Sequence, residues 1–173
     1  MFAIMGTDIF TPGGCGDADR QETYEAILPQ IGSLIEGETN QTGVLANVTA
    51  ALRTAFGDRF FWVGFYLVDG DQLLLGPFQG TIACYRIKRG RGVCGTAWER
   101  GETIIVDDVE QFPGHIACSS LSRSEIVVPV RDAEGNVRAV LDIDSTDLAA
   151  FDTADRQGLE AVCRYLTPLF APE

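Results

Sequence analysis

A chain of 173 residues is the size of one domain and long enough to bury about 70 % of its unfolded surface around a single core. Hydrophobic residues at 46 % and charged residues at 22 % exclude a chain that stays disordered. Thirteen Lys+Arg against 25 Asp+Glu leave a formal charge of −12, which repels phosphate backbones and anionic lipid and sets nucleic acid aside as a partner. No apolar run approaches the roughly 20 residues that span a bilayer, so no membrane segment is expected. Residues 1–8 carry no basic region ahead of an apolar one, so no secretory signal is expected and the expected location is the cytoplasm. Five cysteines, Cys15, Cys84, Cys94, Cys118 and Cys163, in a compartment that keeps structural thiols reduced are expected to pair transiently, in catalysis.

Residues 1–16, with Pro12-Gly13-Gly14 and Gly16, read as a loosely ordered leader, and residues 17–173 as one domain. From 17 to 36 the positions Tyr24, Ile27, Leu28, Ile31, Leu34 and Ile35 recur at three- and four-residue steps and predict one apolar helical face, with Pro29 expected to kink or split the helix. A second helix is predicted after Asn40, through Val44, Leu45, Val48, Leu52 and Ala55, ending before Gly57-Asp58. The pattern then turns to strands: 60–68, the turn Asp69-Gly70-Asp71, and 72–78 as a hairpin partner. Further strands are predicted at 103–106, 125–130 and 137–144, the last two joined across Asp132-Ala133-Glu134-Gly135. A final helix starts at Asp152 with Asp155 in its acidic first turn and runs to Pro168. Terminal helices around hairpin-linked strands define an α+β fold with an antiparallel sheet.

Several groups in this framework carry chemistry. Cys94 lies in Gly90-Arg91-Gly92-Val93-Cys94-Gly95-Thr96, a loop entering a short helix downstream of Arg86, Lys88, Arg89 and Arg91, a setting that lowers a thiol pKa; small buried hydrophobes are the commoner use of such cysteines. Four cations in six residues are usually a solvated face. Cys118 ends the loop Phe112-Pro113-Gly114-His115-Ile116-Ala117-Cys118, where His115 is the chain's one histidine. A metal site from His115, Cys84, Cys94 and Cys118 lacks any C-x-x-C pair, so no metal is expected. Strand alternation puts Asp142 and Asp144 on one face and Leu141 and Ile143 on the other; two carboxylates about 6–7 Å apart raise each other's pKa and suit a site that needs a proton or an ammonium partner. Glu125 is a third acid, set just before Ile126-Val127-Val128-Pro129. Trp62, Gly64 and Tyr66 share a face opposite Val63, Phe65 and Leu67, and the two aromatics make a wall suited to a methyl or sulfur group.

Seven segments together resemble the free methionine-(R)-sulfoxide reductases, a catalytic branch of the GAF-domain superfamily. They are Leu34-Ile35-Glu36-Gly37-Glu38, Trp62-Val63-Gly64-Phe65-Tyr66-Leu67, Leu75-Gly76-Pro77-Phe78-Gln79-Gly80 with Ala83-Cys84, Gly92-Val93-Cys94-Gly95-Thr96-Ala97, Phe112-Pro113-Gly114-His115-Ile116-Ala117-Cys118, Ser124-Glu125-Ile126-Val127-Val128-Pro129 and Val140-Leu141-Asp142-Ile143-Asp144-Ser145. The resemblance implies a GAF domain whose central antiparallel sheet has its N- and C-terminal helices on one face and a small pocket on the other. It implies Cys118 as nucleophile, Cys84 and Cys94 in resolving its oxidised form, and Trp62, Tyr66, Glu125, Asp142 and Asp144 lining the site. Ser119 stands where the resemblance implies an acid.

A sulfoxide needs a thiolate, a proton source and a second thiol, so the expected route runs through a cysteine sulfenic acid and a disulfide reduced by thioredoxin or a similar dithiol, with no cofactor. Glu125 is the expected acid, Asp142 and Asp144 the expected ammonium sites, and a homodimer the default assembly. The competing expectation is a non-catalytic GAF module that binds a small ligand or senses redox state.

Overall fold

The computed structural model describes residues 17–116 and 119–170; the leader with Cys15, and Cys118 itself, lie outside the described residues. The chain runs α1 (Asp17–Ile35), α2 (Gln41–Phe56), β1 (Trp62–Asp69), β2 (Gln72–Gln79), β3 (Arg86–Lys88), α3 (Gly92–Arg100), β4 (Ile104–Val106), β5 (Ser124–Arg131), β6 (Val137–Ser145) and α4 (Thr153–Tyr165). Local chemistry sets several of these ends. Asn40 caps α2 by accepting from the Gly43 N–H at 3.1 Å, and Gly57, at φ 56° and ψ −138°, takes a positive-φ conformation open to glycine that ends it. Asp152 and Asp155 form a reciprocal capping box at the start of α4.

Six strands make one antiparallel sheet in the order β3-β2-β1-β6-β5-β4. Because strand side chains alternate, odd and even positions divide between two cores. Val63 and Phe65, Leu141 and Ile143, and Ile126 and Val128 pack beneath α1, α2 and α4. Trp62 and Tyr66, Val140 and Val127 face the opposite way, against Val93, Cys94, Ala97 and Trp98 of α3. The terminal helices thus share one face and leave the other for α3 and the loops, as the resemblance implies.

A buried polar cluster ties the helical layer together. Asp155 is fully buried, accepts from the Tyr24 hydroxyl at 2.9 Å and pairs with Arg59, whose guanidinium lies 5.5–5.7 Å from the ring centroids of Phe56, Phe60 and Phe151. Among the described residues no helix is long and apolar enough to cross a membrane.

Two expectations are corrected. Pro29 does not split α1, which runs on for 19 residues; the proline is on the solvent side, and buried Tyr24, Ile27 and Ile31 hold both halves against the core despite the missing N–H. Leu34 is 47 % exposed, outside the buried stripe. The basic run is the solvated face expected of it, with Arg86, Lys88, Arg89 and Arg91 all exposed; it also contains the short strand β3, which pairs with β2 at the sheet edge and has too few residues to show a period.

Candidate active site

Cross-strand register assembles the site. Antiparallel partners share a face, and Asp144 is paired with Trp62 on one side and Glu125 on the other, which places these three side chains in one row across β1, β6 and β5. The next row is Gly64, Asp142 and Val127. Trp62, Tyr66, Cys94, Glu125, Asp142 and Asp144 therefore converge on one pocket, with His115, Ser119 and Ser122 in its wall.

The aromatic wall is built by packing. Trp62 stacks against Phe78 at 5.2 Å and Tyr66 at 6.1 Å between ring centroids, and its indole N–H donates to the Thr81 carbonyl at 3.0 Å. Gly64 makes this possible, since a methyl group there would meet Phe78 and lie 2.8 Å from the Trp62 ring.

The acidic wall is dry and crowded. Glu125 and Asp142 are 5 % and 7 % exposed. Burial, reinforced by the charges of Asp142 and Asp144, holds the Glu125 carboxyl well above the usual range. Burial likewise raises Asp144, with Asp142 adding to it and a hydrogen bond from Ser122 opposing it. Asp142 is pushed up to about 6 by burial, against hydrogen bonds with Cys94 and Glu125, and its Oδ1 is buried without a hydrogen-bond donor. His115 Nδ1 is 3.9 Å from Glu125 Oε2, and burial holds its imidazole toward the neutral form.

Cys94 corrects an expectation. Its Sγ lies 4.0 Å from Glu125 Oε1 in the carboxylate cluster, and burial together with the Asp142 and Glu125 charges pushes its thiol up rather than down. Desolvation beside negative charge outweighs the helix N-terminus. Cys84 is disulfide-bonded, while Cys94 and Cys163 carry free thiols. Cys163, on α4 in the core beneath the helices, does not line the pocket, and burial raises it too. Among the described residues, one group offers donor atoms close enough together, within 4.8 Å, to hold a metal ion: Cys94, Glu125 and Asp142, without Cys84 or His115. An ammonium group suits the same negative lining.

The sequence reading missed Ser122, which is buried and bonded to Asp144, and the direct contact of Cys94 with the acids. A lone serine in a polar loop carries no spacing signal, and nothing local relates α3 to β5.

The antiparallel sheet, with a helical layer behind it and a pocket in front, is the fold of a known class. The family profile for the GAF domain matches residues 38–170, and the chain belongs to that family. A GAF domain-containing protein A of Dictyostelium discoideum is 58 % identical over 148 residues, which cover 85 % of this chain and 92 % of that protein. The free methionine-R-sulfoxide reductase of Escherichia coli (strain K12) is 44 % identical over 153 residues, 88 % of this chain and 92 % of the relative. The X-ray structure of free methionine-R-sulfoxide reductase from Neisseria meningitidis, in complex with its substrate, superposes with a TM-score of 0.84 at 50 % identity, covering 91 % of this chain and 93 % of that one. Within the GAF domains this chain belongs with the free methionine-R-sulfoxide reductases, which are enzymes.

Proposed function

We propose that this protein reduces free methionine-(R)-sulfoxide to methionine with Cys118 as nucleophile, Glu125 as proton donor and Cys84 as the thiol that resolves the oxidised nucleophile. The observation that carries the reading is one pocket in which an aromatic wall faces the buried carboxyls of Glu125 and Asp142 and the half-buried one of Asp144, beside a cysteine held in a disulfide. Asp142 and Asp144 receive the substrate ammonium, whose N–H donors satisfy the bare Asp142 Oδ1. The sulfur and its methyl group lie against Trp62 and Tyr66. Glu125, kept protonated by burial and by its acidic neighbours, donates to the sulfoxide oxygen.

The Cys118 thiolate attacks the activated sulfur, forming an S–S bond as the protonated oxygen leaves as water; water then attacks the Cys118 sulfur, the S–S bond breaks and methionine departs with the electron pair. Oxygen ends on Cys118 as a sulfenic acid, so that sulfur is oxidised by two electrons and the substrate sulfur reduced by two. The Cys84 thiolate then displaces water from the sulfenic acid and forms a disulfide. Thioredoxin or a similar dithiol reduces that disulfide, becoming a disulfide itself. Cys94, which its surroundings keep as a thiol, serves as the slower second resolving group.

Single-turnover chemistry tests the assignment. Reduced Cys118→Ser should form no methionine, whereas Cys84→Ser and Cys94→Ser should each give up to one equivalent and lose recycling, most severely for Cys84→Ser. A stoichiometric burst from Cys118→Ser would overturn the choice of nucleophile.

A further inference from the structure

Residues 79–91 hold four of the chain's 13 cations and none of its 25 acids, in a protein of net charge −12. The same stretch holds the two most exposed large hydrophobic side chains among the described residues, Ile82 at 86 % and Tyr85 at 80 %. Neither belongs to a frayed segment. The Thr81 carbonyl is held by the Trp62 indole, and the Tyr85 carbonyl accepts from the Leu75 N–H at 3.0 Å, so the loop is tied at both ends with these side chains facing out. On β3, Arg86 and Lys88 are exposed on either side of buried Ile87 and so share one outer face at the free edge of the sheet. Between Ile82 and Tyr85 lies half-buried Cys84, in its disulfide. Ile82 also borders the pocket and Cys84 takes part in the proposed reaction, but Tyr85, Arg86 and Lys88 are not among the pocket's lining residues and the reaction within it does not use them.

We infer that Tyr85, Arg86 and Lys88, with Ile82, form the docking surface for the protein dithiol that reduces the Cys84 disulfide, a partner presenting an apolar patch and negative charge around its attacking thiol. This rests on the recycling step proposed above. A thiolate must reach sulfur in line with the S–S bond, so a protein reductant has to seat itself on the face around Cys84. An exposed aromatic supplies the apolar anchor of such a contact, and a local cationic patch on an acidic protein steers an acidic partner to it. In the exchange, a partner thiolate attacks one sulfur of the disulfide and the other leaves as a thiolate. The partner's second thiol then attacks the mixed disulfide, releasing two enzyme thiols and an oxidised partner.

The test uses oxidised enzyme without sulfoxide, so it stands apart from the activity assay. The rate of disulfide reduction is measured with a thioredoxin kept reduced by NADPH and its reductase, and separately with dithiothreitol. Tyr85→Ser and the pair Arg86→Glu/Lys88→Glu should each lower the second-order rate with thioredoxin by roughly tenfold or more. Salt at about 0.5 M should slow the parent reaction with thioredoxin, and dithiothreitol should reduce every variant within about twofold of the parent rate. Equal slowing with both reductants would overturn the inference, because the variants would then act on the disulfide itself. No slowing with thioredoxin would overturn it too. So would loss of a dimer in sedimentation, which would make the surface a contact between copies of this chain.

Discussion

Replacing Asp142 with Asn should stabilise the protein above neutrality while impairing substrate binding. The carboxyl is buried in β6 between Gly64 and Val127, with Glu125 and Cys94 against it, and its Oδ1 has no donor. Burial raises it from an ordinary 3.8 to about 6. A carboxyl whose folded pKa lies above its unfolded one contributes fully at low pH, and that contribution is lost as pH rises through the folded pKa. Below about 3.8 both states are protonated and the Asn variant should match the parent. Between 3.8 and 6 the parent loses about 1.4 kcal/mol per pH unit relative to the variant. Above 6 the difference levels off at about 3 kcal/mol, an upper bound because Glu125 and Asp144 can take up part of the charge once Asp142 is neutral. Urea unfolding at several pH values from 4 to 8, read by tryptophan fluorescence, measures the difference directly. An Asp142→Asn protein destabilised by the same amount at both ends of that range would refute the electrostatic account. In the activity assay the same variant should raise KM more than it lowers kcat, since it removes a charge that grips the ammonium.

Glu125→Gln keeps a hydrogen-bond donor and removes the transferable proton, so kcat should fall by roughly 10²–10⁴ with a smaller change in KM; a kcat within a few-fold of the parent from pH 6 to 8 would show that another group supplies the proton. Asp155→Ala leaves Arg59 without its carboxylate and Tyr24 without its acceptor under the helical layer, and should cost about 3–5 kcal/mol in denaturant unfolding; a loss below about 1 kcal/mol would mean that the cluster is not holding the helices.

Much of the architecture is local and could be read directly. The Asn40 cap and Gly57 stop bound α2, the Asp152–Asp155 box starts α4, and Asp69-Gly70-Asp71 turns β1 into β2, because caps and turns depend on residues a few positions apart. Alternation alone put Asp142 with Asp144, and Trp62 with Tyr66, on common faces. It could not say that Glu125 pairs with Asp144 or that Trp62 lies in the same row, since register between strands far apart in sequence is set by the packing of both faces of the sheet. Pro29 shows the same limit: the missing N–H is local, while the buried contacts that keep α1 continuous are not. Cys94 shows it most directly. Its neighbours in sequence, a helix start and a basic run, argue for a lowered pKa, yet the fold buries the thiol against Glu125 and Asp142 and turns the cations outward beside Cys84. Residue type and period determine which side chains share a face, whereas the pKa of a buried group follows its desolvation and its nearest charges, and only the tertiary packing brings those together.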